Sequence, residues 1–168
     1  MRKLGLLLSI VFAAAMALSI TIPALAADSD TTTITASFQT AIDVNAPSTI
    51  SVGTLVPDTA SESFNKSVIV KCNKAGWILT VSDEWNEPSH LGHMIADLGT
   101  EIVALINPLE VKGNAQPYAS LTAPVTLVNA GGVGITNISD VRFRQATEWA
   151  DAVNGVYTIT VTFTAALP

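Results

Sequence analysis

The sequence has a single cysteine, Cys72, and few charged residues, which make up 13% of the 168 residues. One thiol cannot form a disulfide within the chain, so the fold must depend on its hydrophobic core. Acidic residues outnumber basic ones by 14 to 8, which gives a formal net charge of −6. Phosphate backbones repel such a chain, and we therefore expect no nucleic-acid partner.

Recognisable catalytic motifs are also missing from the sequence. It contains no nucleophile elbow, no phosphate-binding loop and no zinc-peptidase helix. Its acidic residues lack the alternating spacing of oxygen ligands that a calcium-binding loop requires. We therefore predict a protein that is not an enzyme and that uses no cofactor.

The one long apolar run lies at the start of the chain. Arg2 and Lys3 precede an apolar stretch over residues 4–22, and Ala24 and Ala26 supply a small-x-small pattern at its end. These are the parts of a secretory signal peptide. An uncleaved membrane anchor is the alternative interpretation, because the run approaches the length of a bilayer span. We expect cleavage after Ala26, and hence a secreted, extracellular protein at the cell surface that is not integral to the membrane.

Residues 27–168 alternate repeatedly between apolar and polar side chains. A period of two is typical of a β-strand with one buried and one exposed face. The regular stretches are residues 33–44, 64–72, 77–82, 141–145 and 157–165. Turn-forming residues separate them and no helices alternate with them, so we predict one all-β domain, a β-sandwich of about eight to ten strands.

Cys72 shares its alternating face with Val68 and Val70. This spacing predicts a buried, unreactive thiol, because free cysteine behaves as a small apolar residue in a core. A disulfide to another molecule is the alternative.

Two segments carry a pattern that is found in a known family. Residues 76–82 contain a Trp-x-Leu motif at Trp77 and Leu79, and a C-terminal segment contains Gly155, Tyr157 and Phe163. The pattern resembles the WxL surface proteins of Gram-positive bacteria, although Phe163-Thr164-Ala165 stands where that family has a second Trp-x-Leu. The resemblance implies a β-rich secreted domain that is held non-covalently at the cell wall. The other interpretation is structural, since Trp77 and Leu79 share one strand face and would be buried together in any sandwich.

The polar loop over residues 83–93 contains both histidines of the chain, His90 and His93, together with Glu87. Two imidazoles three residues apart beside a carboxylate are weak candidates for a transition-metal site. Solvated loop residues are the alternative that we favour, because nothing in the sequence fixes their geometry.

Three aromatic residues, Trp85, Tyr118 and Trp149, lie in or beside predicted loops. Aromatic rings on a sandwich surface can stack on sugars, so a carbohydrate-binding module is one alternative function. Asn65 and Asn137 begin N-glycosylation sequons, which matter only in a host that glycosylates them.

The first predicted strand lacks charge, proline and lysine over residues 31–41. An edge without such residues can pair with another chain. We expect the strand to complete its own sandwich and to bury Ile34, Phe38 and Ile42. The alternative is donation to a neighbouring copy, which would make the protein a filament subunit. The predicted function is thus a surface structural or binding protein, with a cell-wall polymer or other surface proteins as partners.

Overall fold

The computed structural model describes residues 32–84, 89–114, 116–151 and 155–168. The predicted signal peptide (residues 1–26), Trp85 and Glu87 lie outside these ranges. The described residues from Phe38 onward form one unit, and residues 32–37 belong to a separate one. Within the described ranges there is no helix, and hence no helix that could span a membrane.

The described residues form eleven β-strands, which confirms the all-β prediction. In chain order they are β1 (Ile42–Asn45), β2 (Ala60–Glu62), β3 (Lys66–Cys72), β4 (Trp77–Asp83), β5 (Ile95–Asp97), β6 (Ile102–Ala104), β7 (Glu110–Lys112), β8 (Ala119–Ser120), β9 (Val125–Gly131), β10 (Gly134–Ala146) and β11 (Val161–Ala166).

The strands form two main antiparallel sheets and a small third one. The larger sheet has the order β1-β3-β10-β7-β8, and β2 also pairs with β10. The second sheet has the order β11-β4-β9, and β5 pairs with β6 separately. Strand β10 is long enough to have several partners. It pairs with β3 from Gly134 to Val141, with a register shift between Ile138 and Val141, and its C-terminal part pairs with β7 and β2.

The two main sheets share one hydrophobic core. Strand β3 contributes Val68, Val70 and Cys72, and β4 contributes Trp77 and other fully buried residues. The alternating pattern of the two strands therefore predicted their buried faces correctly, and Cys72 is a buried free thiol. Strand β10 completes the core with inward residues that include Val141 and Phe143, while Gln145 is also fully buried.

Phe64 departs from its predicted inward position and is 88% exposed. Its neighbour Ser63 is buried instead, since the Ser63 amide donates to the Phe143 carbonyl (2.9 Å) and the Ser63 hydroxyl accepts from the Phe143 amide (3.0 Å). The predicted strand over residues 64–72 is therefore interrupted, and β3 begins only at Lys66.

The predicted N-terminal strand over residues 33–44 is also shorter in the structure. Only Ile42–Asn45 pair with β3, from Ile42 opposite Cys72 to Asn45 opposite Ile69. Strand β3 ends at Cys72, where the chain turns. The described residues before Ile42 therefore have no strand beside them in this sheet. The expectation that Ile34 and Phe38 complete their own sandwich was therefore wrong.

Candidate functional site

Residues 32–41 form no strand, and residues 32–40 are all exposed. Ile34 is 90% exposed and Phe38 is 99% exposed, although the alternating pattern places both on one face of an extended chain. Burial of each side chain would contribute a favourable free energy of about 1.5–3 kcal/mol. We call residues 33–40 the N-terminal segment, and it is suited to pairing with another surface.

Asn73 fixes the point at which this segment joins the sandwich. Its side-chain amide donates to the Gln39 carbonyl (2.6 Å), and its side-chain oxygen accepts from the Ala41 amide (2.9 Å). The Asn73 amide also donates to the Ala41 carbonyl (3.3 Å). Asn73 lies in the turn between β3 and β4, so the segment joins at the end of the sandwich where this turn lies, which we call the hairpin end.

A second turn lies at the same end. The Gly76 amide donates to the Gly131 carbonyl (2.8 Å), and the Trp77 indole donates to the Gly132 carbonyl (2.8 Å). These bonds join the β3–β4 turn to the β9–β10 turn. Strand β10 runs from here to the opposite end, which we call the loop end and which includes residues 147–151.

Strand β11 is an edge strand, because within the described part of the chain it pairs with β4 alone. Its inward residues, Val161, Phe163 and Ala165, are only half-buried, as is Ile159 before them. The Phe163 ring contacts the Phe143 ring edge to face, with centroids 6.4 Å apart. The core is therefore incompletely covered along this edge.

An open groove runs beside the first half of β11 and the stretch before it, from Tyr157 to Phe163. Its other wall is the stretch of residues 46–57, which follows β1 without forming a strand and which we call the strap. The groove has a volume of about 310 Å³, and its lining includes Ile50, Val52, Met94, Leu109 and Phe143. None of its lining residues is charged. Within the described ranges no backbone hydrogen bond joins the strap to β11, so the outer edge of this strand does not pair with it.

The groove continues into a second hollow of about 790 Å³ toward the loop end. The two hollows share Ile50, Val52, Met94 and Tyr157. They therefore form a continuous depression along the side of the sandwich, which is uncharged beside β11 and includes Glu148 and Asp151 toward the loop end. Sequence patterns missed this site, because it arises where the strap fails to pair with β11.

The motif residues of the WxL resemblance lie mainly inside the domain. Trp77 and Leu79 are 0% exposed, so neither offers surface to an external ligand in the folded protein. Tyr157 and Phe163 are half-buried beside the groove. Gly155 is exposed, and a Cβ at this position would lie 3.1 Å from Ala96.

The two histidines make separate contacts. The His93 Nδ1 donates to the Leu105 carbonyl (2.7 Å), and the His90 Nδ1 lies 3.2 Å from the Ser89 hydroxyl. Among the described residues, which do not include Glu87, no three metal-ligating side chains come together.

Tyr118 lies within a charged cluster on the outer face of the larger sheet. The Arg144 guanidinium carbon is 4.2 Å and the Lys112 ammonium 5.0 Å from the centre of its ring. Burial raises the pKa of Tyr118 to about 12, and the charge of the Glu62 carboxylate adds to the rise. Glu62 in turn forms an ion pair with Arg142 (2.8 Å), which lowers the pKa of the Glu62 carboxyl. The ring already has two cations as partners and is a poor platform for a sugar.

Of the two aromatic candidates that lie in the described ranges, Tyr118 and Trp149, the second is accessible, with 73% of its surface exposed. The turn that contains it is held by Asp151, whose carboxylate accepts from the amides of Ile106 and Glu148 (both 2.7 Å). The sequon residues Asn65 and Asn137 are exposed as well.

No family model and no curated protein matches this chain. The chain is similar to a chain in the crystal structure of the CsuC-CsuE chaperone-tip adhesion subunit pre-assembly complex from the archaic chaperone-usher Csu pili of Acinetobacter baumannii. The identity is 15% and the TM-score is 0.46. The match covers 76% of this chain and 39% of that one, so this chain spans well under half of its length.

Proposed function

We propose that this protein is a secreted surface subunit that assembles into filaments by donating its N-terminal segment to a neighbouring copy. The observation that carries the proposal is the exposure of Ile34 and Phe38 in an uncharged, alternating segment. An extended segment of this kind binds by adding a strand to an open sheet, which hides its apolar side chains and pairs its backbone. Export rests on the signal-peptide pattern of residues 1–26.

Donation from one end of the domain to the side of the next copy is a head-to-tail contact. Contacts of this kind build open filaments unless their rotation closes a ring. The role requires no catalytic group or cofactor.

Paired substitutions in the N-terminal segment test this function. The exported protein is examined for filaments by electron microscopy and for mass by analytical ultracentrifugation. Ile34→Asp with Phe38→Asp should leave a folded monomer, because both side chains are exposed in the isolated domain and a buried carboxylate is costly in an assembly. The matched control, Thr35→Asp with Ser37→Asp, places the same charges on the opposite face and should still assemble.

Wild-type protein that stays monomeric at all accessible concentrations would refute the proposal. Loss of folding in the Ile34→Asp and Phe38→Asp variant would also count against it, because that result means that the segment belongs to its own domain.

A second candidate function is binding of a surface polysaccharide, such as the wall polymer that the WxL resemblance implies. Trp149 favours it, because an exposed indole on a hydrogen-bonded turn suits stacking on a sugar ring. The exported protein should then sediment with isolated cell walls, and Trp149→Ala should abolish sedimentation whereas Trp149→Phe retains part of it. Equal sedimentation of the three proteins excludes a role for Trp149.

A further inference from the structure

We infer that the acceptor of the N-terminal segment is the free edge of β11 in a second copy of this chain, and that the segment pairs with β11 in the antiparallel direction. This inference rests on the proposed function, for which it names the binding site and the geometry. The occupant is a second copy because this chain itself carries an uncharged apolar segment that suits the uncharged groove.

The choice of edge follows from the position of the groove. Both edge strands of the smaller sheet, β9 and β11, lack charge. On β9 the inward residue Leu127 is buried, whereas Val125 and Val128 are half-buried. On β11 the inward side chains of Val161 and Phe163 are also half-buried, and they border the uncharged groove. An added strand at β11 would therefore fill the uncharged groove and cover these side chains.

The direction follows from the positions of the two ends. Strand β11 pairs antiparallel with β4, from Val161 opposite Asp83 to Ala166 opposite Ile78, and therefore runs toward the hairpin end. The N-terminal segment joins its own domain at the hairpin end, through Gln39 and Ala41. In a head-to-tail stack it enters the next copy from the loop end, so that residue 40 lies near that end and residue 33 lies deeper. Its chain direction is then opposite to that of β11.

If the segment paired with β11 of its own domain, the two strands would be parallel. The chain would have to reverse immediately before β1 and run toward the hairpin end, parallel to β11. The direction of the N-terminal segment relative to β11 therefore distinguishes donation to another copy from pairing within the same copy.

The length of the segment fits the acceptor edge. Eight extended residues span about 27 Å. Strand β11 has six residues, and the preceding stretch that borders the groove begins at Tyr157.

One antiparallel register places a smaller side chain beside each larger one. It sets Ile34 beside Ala165, Ala36 beside Phe163 and Phe38 beside Val161. Alternating large and small residues across facing positions fills a core without gaps or overlap. The same register sets the outward pairs Ser37–Thr162, Thr35–Thr164 and Thr33–Ala166 side by side.

Disulfide trapping between two single-substitution variants tests the site and the direction. One variant carries Ser37→Cys or Thr33→Cys, and the other carries Thr162→Cys or Ala166→Cys on β11. The native Cys72 is buried and stays in place. The two proteins are mixed, allowed to assemble and oxidised, and the product is read as a species of twice the mass on a non-reducing gel. Neighbouring strands bring Cα atoms to about 4.5–5.5 Å, within the range that a disulfide can bridge.

We expect Ser37→Cys to link to Thr162→Cys, and Thr33→Cys to link to Ala166→Cys. The exchanged pairs, Ser37→Cys with Ala166→Cys and Thr33→Cys with Thr162→Cys, should give at least tenfold less product. Thr126→Cys on the exposed face of β9 is the control for the other edge and should give none. Thermal denaturation of each variant verifies that the exposed substitutions leave the fold intact.

Filaments with links only in the exchanged pairs would overturn the antiparallel direction. Filaments with links only to Thr126→Cys would overturn the choice of β11, while the proposed function would stand. The absence of both filaments and links would refute the proposed function itself, and with it this inference.

Discussion

Strands β4 and β11 lie side by side and have equally regular sequence patterns, yet they differ in burial. The inward side chains of β4, including Trp77 and Leu79, have no exposed surface. Those of β11, including Val161 and Phe163, are only half-buried. Strand β4 has a partner on both sides, whereas β11 has β4 on one side and the open groove on the other. The surroundings of a strand, rather than its alternating pattern, thus decide how completely its inward face is buried.

The N-terminal segment extends this comparison to a stretch with no neighbouring strand. It alternates as regularly as β11, but Ile34 and Phe38 are almost fully exposed. The three stretches therefore form a series with two, one and no neighbours. The expected cost of truncating an apolar side chain in the isolated domain decreases along this series.

The largest effect is expected for Trp77→Ala. The substitution removes a fully buried indole and its hydrogen bond to the Gly132 carbonyl. The free energy of unfolding should fall by about 3–5 kcal/mol, as for other large aromatic truncations in a core. Urea denaturation measures it, with Trp149→Ala as the exposed control that should change stability by less than about 0.5 kcal/mol. A Trp77→Ala protein of unchanged stability would contradict the burial of this residue.

Gly131→Ala tests the packing around the same indole. A Cβ at residue 131 would overlap the Trp77 ring, so the ring or the strand must move. We expect a loss of about 3 kcal/mol, since overpacking a rigid core is costly. Gly132→Ala is the matched control, because a Cβ there meets nothing within 4 Å. Equal stability of the two variants would show that the indole can shift without cost.

Phe163→Ala should have an intermediate effect in the isolated domain. The side chain is half-buried and contacts Phe143, so we expect a loss of about 2 kcal/mol, below that of a fully buried phenylalanine. In filaments the cost should increase, because the donated strand would cover the ring. Urea denaturation of monomers and of filaments measures both values. A cost that is the same in the two states would mean that assembly leaves β11 uncovered.

The smallest effect on the isolated domain is expected for Phe38→Ala. Because the ring contacts almost nothing, the free energy of unfolding of the monomer should change by less than about 0.5 kcal/mol. The concentration required for filament formation should instead rise at least tenfold. Thermal denaturation of the monomer and sedimentation of filaments are the two measurements. A destabilised monomer would place Phe38 in its own core.

Much of the fold could be predicted from alternation. The inward faces of β3 and β4 agree with the pattern, and the buried state of Cys72 follows from its place beside Val68 and Val70. Ser63 and Phe64 are an exception, because a pairing with Phe143 on β10 reverses the expected faces. That pairing joins residues 80 positions apart, and no local pattern reports it.

The candidate site, like the fold, could be predicted from the sequence only in part. The sequence by itself determined which residues of the N-terminal segment are apolar, that the segment is uncharged, and that it can be extended, because these properties depend on side-chain chemistry and on a period of two. Only the tertiary structure decided that β3 ends at Cys72, that the strap does not pair with β11, and that a groove remains between them. The physical reason is that strand pairing is a contact between distant parts of the chain, and an alternating pattern specifies the faces of a strand but not the partner at its edge.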